Sequence, residues 1–429
     1  MSKILIKNGR VIDPANGIDD ILDVVVADGK VENVAKNISD ADAEVIDATA
    51  MWITPGLIDI HVHLREPGFT HKETIATGTR SAAIGGFTTI CPMANVSPVP
   101  DNEIIVEYIN FKAAREGVVN VVPIGAITKG LKGEELADIG AMHKVGIKAI
   151  SDDGLSVDNA GLLKTAMKYA TMFGLPILSH CEDKTLTAGG QINAGATAEK
   201  LGLKGISADS ESTIVARDIA LARSTGAHIH ICHVSVIESL EYIREAKARG
   251  QKVTAEVAPH HFILIDEDIK DYDANFKMHP PLRSRADREA LKQALADGTI
   301  EVIATDHAPH HEDEKNCEFE MAANGIVGLE TSFPLSLTLV DEGLLTPSQL
   351  IEKMTINPAK VMNIDKGTLS IGAVADISIL DPNHEWTLDK SKLYSLSKNT
   401  PFDGWQLKGK CRDLIVKGQQ VVKNGELCK

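Results

Sequence analysis

Eight short apolar runs recur through the middle of this 429-residue chain, at about 57–63, 88–93, 120–127, 147–153, 176–180, 227–234, 253–259 and 300–306. Runs of this length, apolar at nearly every position, mark strands buried on both faces. Most of the gaps between them carry helical periodicity; Val215, Ile219 and Ala222, for example, share one apolar face. Eight buried strands separated by helices predict a (β/α)8 TIM barrel. A doubly wound open sheet is the alternative, because strand runs alone do not establish closure.

The two ends of the chain read differently. Ile4-Leu5-Ile6 and Val11-Ile12 flank Asn8-Gly9, and Val24-Val25-Val26 leads into Asp28-Gly29, a hairpin signal. The pattern returns in Asp376-Ile377-Ser378-Ile379-Leu380 and in Leu414-Ile415-Val416 before Lys417-Gly418. Neither end is long enough for its own core. They are expected to pair into one small β-sandwich domain, residues 1–54 with 366–429, attached to a barrel of residues 55–365.

Hydrophobic content of 43% with 24% charged residues suits a globular enzyme. A net charge of −16 argues against a nucleic-acid or anionic-membrane partner, although a local arginine or metal can still attract an anionic substrate. The six cysteines form no C-x-x-C pair and no dense framework, which points to a reducing cytosol. Met1 to Lys7 has no apolar signal core and no long apolar run follows, so a cytoplasmic, soluble protein is expected.

In a (β/α)8 barrel, chemistry gathers at the C-terminal ends of the strands. Five of the eight runs end in a metal-type ligand: His61 and His63, Asp152-Asp153, Ser179-His180, Cys232-His233, and Asp306. Packing alone needs no such residues there, so a shared site is predicted. In Asp59-Ile60-His61-Val62-His63-Leu64-Arg65, strand alternation puts both imidazoles on one side, with Arg65 beside them as a cationic fork. In His228-Ile229-His230-Ile231-Cys232-His233, alternation puts His233 with Ile229 and Ile231, opposite His228 and His230. His228 and His230 are read as packed structural histidines, His260-His261 as a supporting pair, and His71, His143 and His384 as surface residues. The ligands are too many for one tetrahedral zinc, so two metals are expected.

Asp-x-His-x-His-x-Arg-x-Pro at 59–67 resembles the first signature of dihydroorotases in the amidohydrolase superfamily. A second signature lies at Ala304-Thr305-Asp306-His307-Ala308-Pro309-His310, with Lys315 following. The resemblance spans essentially the whole chain. It implies two Zn2+ per subunit held by His61, His63, Asp153, His180, His233 and Asp306. Asp153 would bridge them, or else a carboxylated Lys148, as in other branches of the superfamily. It assigns Asp306 the general base and acid role. Arg65 would clamp a substrate carboxylate, with His63, Asn95, His279, His310, Asn324 and Gly325 completing the substrate site. Asn95 fits loosely, since the family usually has Pro before it, and His279 stands where the family often has Asn. The implied reaction interconverts (S)-dihydroorotate and N-carbamoyl-L-aspartate in pyrimidine synthesis. A homodimer, and association with aspartate carbamoyltransferase, are the partner expectations. The alternatives are an allantoinase or hydantoinase, whose motifs usually lack this arginine, and a non-catalytic scaffold homologue.

Overall fold

The computed structural model describes residues 3–428. The N-terminal region supplies β1 (Ile4–Asp13), β2 (Ile18–Ala27), β3 (Lys30–Ala35), β4 (Glu44–Asp47) and β5 (Trp52–Pro55). Asn8-Gly9 does not divide two strands. Asn8 takes φ 64° and the register against β2 slips between Ile6 and Gly9, so β1 continues through a bulge. Asp28 and Gly29 are both left-handed (φ 50° and 77°), the hairpin geometry that matches strand twist, and they join β2 to β3.

The middle of the chain alternates strand and helix. β6 (Leu57–Val62), β7 (Phe87–Pro92) and β8 (Asn120–Val121) form one parallel set. β9 (Ile177–Ser179) belongs to a second set, and β10 (Ile192–Asn193) pairs with β11 (Gly205–Ile206) in the excursion that follows it. β12 (Ile229–Ile231), β13 (Val253–Val257) and β14 (Val302–Ile303) complete the second set, in the order β14-β13-β12-β9. The fourth apolar run forms no extended ladder. Ile150 alone bridges Gly125 on one side and Ile177 on the other, while Val62 bridges His307 beyond β14. The fold is of the expected (β/α)8 class, with the two parallel sets joined through these single bridges.

The helices pack outside the strands. Asp209–Thr225 buries Val215, Ile219 and Ala222 in one cluster with Ile229 and Ile231 of β12. A second cluster takes Ile58, Cys91, Ile124, Ala149, Leu178, Cys232 and Val302, so seven of the eight runs contribute to it. The seventh instead presents the buried carboxylate of Glu256. Among the described residues no helix is long and apolar enough to cross a membrane.

The C-terminal region adds β15 (Ile377–Thr387), β16 (Gln406–Val416), β17 (Gln419–Lys423) and β18 (Glu426–Leu427). These continue the N-terminal sheet in the order β18-β17-β16-β15-β5-β1-β2-β3, with β4 also on β1. β15 lies antiparallel to β5, setting Ile379 opposite Ile53. The two ends share one core, in which Ile6, Val24 and Ile53 meet Ile377, Ile379 and Ile415. Two hairpins from opposite ends of the chain meet back to back: a Cβ on Gly418 would lie 2.5 Å from the Gly29 Cα. Ile379→Ala removes a fully buried side chain from this shared core. It should cost about 2–5 kcal/mol, seen as an earlier midpoint in urea unfolding followed by the signal of the terminal sheet.

Candidate active site

Six side chains converge above the C-terminal strand ends. β6 carries His61, and His63 follows just beyond it, kept in line by its N–H donating to the His307 carbonyl at 2.8 Å. His61 Nε2 stands 3.3 Å from Asp153 Oδ1 and 3.5 Å from Asp306 Oδ1. His63 Nε2 is 3.0 Å from Asp306 Oδ1. His180 Nδ1 and His233 Nε2 lie 2.9 Å apart, at 3.6 and 3.8 Å from Asp153 Oδ1. All six are buried. Asp152 is turned away: its Oδ1 accepts from the Ile127 and Thr128 amides at 2.7 and 3.0 Å, which fixes the third run against the fourth.

Alternation does not deliver all of these groups. Ile229 and Ile231 face the helices, so His230 points inward and His233 would point out if the strand continued. The strand stops at Ile231 and His233 takes φ 32°, which swings its ring back to Asp153. Asp306 (φ 49°) and Arg65 (φ 57°) are also left-handed, and Arg65 lies three residues past the end of β6. Non-glycine residues rarely adopt this conformation, and where they do a functional constraint is a common cause.

The site is built for a cation. Burial alone would lower the His61 pKa, but Glu256, Asp153 and Asp306 outweigh it and raise it well above the ordinary value. Burial would raise Asp153 and Asp306, but His61 and the other imidazoles bring both below the usual carboxylate range. His180 is likewise pushed up, to about 9, by Asp153 and Glu182 against its burial. His61 Nε2 and Asp153 Oδ1 are buried and lack an aligned hydrogen-bond partner. An orphaned buried polar atom costs about 1–3 kcal/mol, and a metal ion would satisfy both. Two sets, His61-His63-Asp306 and His61-Asp153-His233, each bring their ligand atoms within 4.8 Å of one another. Nitrogen and carboxylate donors at this spacing fit a borderline metal such as zinc.

A family profile described as "Dihydro-orotase-like" matches residues 51–239. The chain is 53% identical over 423 residues to a dihydroorotase of Geobacter sp. (strain M21), covering 98% of this chain and 100% of that one. It is 51% identical to a dihydroorotase of Acetivibrio thermocellus, over 98% of this chain and 99% of that one. The chain belongs to the dihydroorotase family. Among solved structures, the L-hydantoinase (dihydropyrimidinase) from Arthrobacter aurescens superposes with a TM-score of 0.90 at 28% identity, covering 100% of this chain and 98% of that one. A D-hydantoinase gives 0.87 at 24%, over 99% and 96%, a likeness of fold. This amidohydrolase family is metal-dependent, which agrees with the donor set.

In this dihydroorotase-family chain, Arg65 is buried beside the cluster. Its Nε donates to the Pro309 carbonyl at 3.1 Å, and Nη2 lies 3.2 Å from His310 Nε2. Burial lowers its pKa to about 10, which leaves it charged at neutral pH. His310 Nε2 donates to the Asn324 carbonyl at 2.8 Å. Gly325 has φ 118°, and a Cβ there would lie 2.5 Å from that of Ala308, so only glycine fits. Asn95 spans two members of the cluster, with Oδ1 2.8 Å from His63 Nδ1 and Nδ2 donating to Asp153 Oδ2 at 3.3 Å. His279 faces Glu182, its Nε2 3.0 Å from Oε1. Lys148 is half-buried and makes no hydrogen bond or ion pair among the described residues. His261 Nε2 donates to the Pro280 carbonyl at 3.0 Å, while burial lowers His260 to about 4. His71 and His384 are exposed, but His143 is half-buried against Phe173, its ring 5.0 Å away.

Three supporting carboxylates escaped the sequence reading. Asp59 Oδ1 accepts the His61 N–H at 3.0 Å and the Thr305 N–H at 3.2 Å, tying the first run to the eighth. Its burial raises it to about 7. Glu256 Oε1 lies 2.5 Å from His61 Nδ1, and Oε2 lies 3.1 Å from His230 Nε2. His230 and His228 then share the Thr254 hydroxyl, each at 2.8 Å. Glu182 meets His180 Nε2 at 3.3 Å. One signal was available for Glu256: it is the charged residue in the otherwise apolar or neutral strand Val253-Thr254-Ala255-Glu256-Val257. A carboxylate behind a metal-facing imidazole fixes its tautomer and ring orientation, and removing one typically costs 10–100-fold in metal affinity. Glu256→Ala should therefore weaken metal binding by about 10- to 100-fold, measured as bound zinc against a competing chelator, with Glu256→Gln falling between it and the parent.

Proposed function

We propose that this chain is a zinc-dependent dihydroorotase, interconverting (S)-dihydroorotate and N-carbamoyl-L-aspartate in pyrimidine synthesis. The observation that carries the reading is Arg65: a buried guanidinium beside a histidine–aspartate cluster, in a chain about half identical to dihydroorotases along its length. His61, His63, Asp153, His180, His233 and Asp306 would hold two zinc ions, with Asp153 as the bridge. Asp153 lies within 4 Å of four imidazoles, whereas Lys148 reaches none of them by a hydrogen bond. When bound, zinc supplies Lewis acidity that polarises an amide carbonyl and makes water more acidic.

The rest falls to the protein. Arg65 binds the ring carboxylate through the guanidinium N–H groups not spent on Pro309, a geometry that favours two parallel charge-assisted bonds. His310, Asn324 and Gly325 shape the wall behind it, and Asn95 keeps His63 and Asp153 in register. In ring opening, water attacks the ring amide carbonyl carbon and Asp306 takes its proton. The same carboxyl then gives that proton to the departing ring nitrogen as the carbon–nitrogen bond breaks. Cyclisation reverses these steps. Asn95 Oδ1, 2.8 Å from His63 Nδ1, fixes the His63 ring, whose Nε2 faces Asp306 Oδ1 at 3.0 Å.

The same reading includes a barrel of residues 55–365, a terminal β-domain of 1–54 with 366–429, a cytoplasmic location, and a homodimer able to associate with aspartate carbamoyltransferase. The terminal strands' shared sheet supports the domain division, and the family's biosynthetic role supports the location.

Arg65→Met should lower kcat/KM for dihydroorotate by about 30- to 5,000-fold, the equivalent of roughly 2–5 kcal/mol for a charge-assisted pair in a partly dry site. Arg65→Lys should fall between, since it keeps the charge and loses the fork. Turnover of an uncharged cyclic amide should drop far less; equal losses on both substrates would remove the carboxylate-clamp assignment.

Asp306→Asn should lower the rate by about two to four orders of magnitude, the scale of a lost general acid–base. Zinc content measured on the same sample separates this from metal loss. A near-parental rate with metal retained would move the proton-transfer role elsewhere.

A further inference from the structure

Glu182 has no part in the reaction described above, yet its carboxylate is held from three sides. His180 Nε2 lies 3.3 Å from Oε2, His279 Nε2 lies 3.0 Å from Oε1, and the Thr187 hydroxyl donates to Oε1 at 2.8 Å. Its backbone is held as well: its N–H donates to Ser156 Oγ at 2.9 Å, and that hydroxyl donates to the His180 carbonyl at 2.7 Å. The His279 and His180 rings stack, with centroids 5.8 Å apart and planes 20° from parallel.

His180 thus divides its two nitrogens. Nδ1 faces Asp153 and the candidate metal position, and Nε2 faces Glu182. His279, on the segment leading into Pro280-Pro281, spends its Nε2 on the same carboxylate. That segment is anchored in turn, because the Pro280 carbonyl accepts from His261 Nε2 at 3.0 Å. One carboxylate therefore joins a candidate metal ligand to the segment entering the 280–283 turn.

We propose that Glu182 is a positioning residue for His180, and that His279 is a latch on Glu182 instead of a direct substrate contact. The inference rests on the metal-site reading above. A ring whose far nitrogen is held by a carboxylate is fixed in tautomer and angle, so its other nitrogen meets the metal without first being ordered. Through this link the 280–283 turn and the His180 side of the site move as one body.

The test is the rate at which zinc-loaded enzyme loses metal to EDTA with no substrate present, read beside kcat and KM for dihydroorotate. Glu182→Gln should speed zinc loss by about 10- to 100-fold. His279→Leu, which removes the donor, should speed it by a smaller factor of about 3- to 10-fold. His279→Gln, which keeps a donor, should lie closer to the parent. The double variant Glu182→Gln/His279→Leu should lose zinc no faster than Glu182→Gln alone, because His279 acts through Glu182. KM should stay within about 2-fold in the His279 variants.

Parental zinc loss in Glu182→Gln would overturn the positioning role. A raised KM in His279→Leu with parental zinc retention would make His279 a substrate contact and overturn the latch, as would additive effects in the double variant. Should Glu182→Gln fail to fold, Glu182→Asp, which keeps the charge and shortens its reach, is read by the same criteria. Zinc loss is measured without substrate. A chain that showed these metal effects but did not turn over dihydroorotate would sink the functional reading and leave this one standing.

Discussion

Charge balance in a dry pocket governs the architecture of this protein. Asp153 and Asp306 are buried within reach of four imidazoles, and neither carboxylate could remain ionised there without positive charge close by. His61 and His180, both raised by the neighbouring carboxylates, supply it as protons, and a metal would supply it instead, releasing those protons as it binds. The next layer out extends the same logic. Glu256 is brought down to about 2 by His61 and His230 in spite of its burial, and Glu182 stands behind His180, so two of the inner imidazoles have an outer counter-charge. Such a network is stable only when complete, which explains why Glu256 replaces an apolar residue inside the seventh strand.

Much of this was legible in the sequence because period and position carry it. Short apolar runs announced the strand positions, and the ligand-type residues at their ends announced a common mouth. The six side chains expected together do come together. Pairing of the two termini followed from the absence of enough core at either end. Geometry that depends on a single torsion was not legible. Alternation predicts the wrong side for His233, because one left-handed residue reverses its direction. Arg65 reaches the site for a similar reason and not by strand parity. Asn8-Gly9 resembles a turn in composition, but the strand absorbs it as a bulge.

His230 shows a subtler limit. Reading it as a packed histidine is compatible with its complete burial. Its packing is nonetheless directed: one nitrogen reaches Glu256 and the other Thr254, so it belongs to the column of polar groups behind His61. A sequence marks a residue as buried more easily than it marks the partner, since the partner lies on another strand. His279 is the corresponding case on the substrate side. Its chemistry suits a ligand contact, and its Nε2 also stands 3.0 Å from a carboxylate contributed by a distant segment, Glu182.

The joining of the two chain ends has a consequence for synthesis. Thr54 of β5 and Ser378 of β15 are separated by 324 positions. At the usual rate of about 5–20 residues per second, β5 waits roughly 15 to 65 seconds for its partner to leave the ribosome. During that interval one edge of the N-terminal sheet stays unpaired, the condition under which strands recruit the wrong neighbour. β5 is suited to the wait: it has four residues and ends in Pro55, which offers no amide hydrogen to an intruding strand. The brevity of that strand protects the nascent chain until β15 arrives.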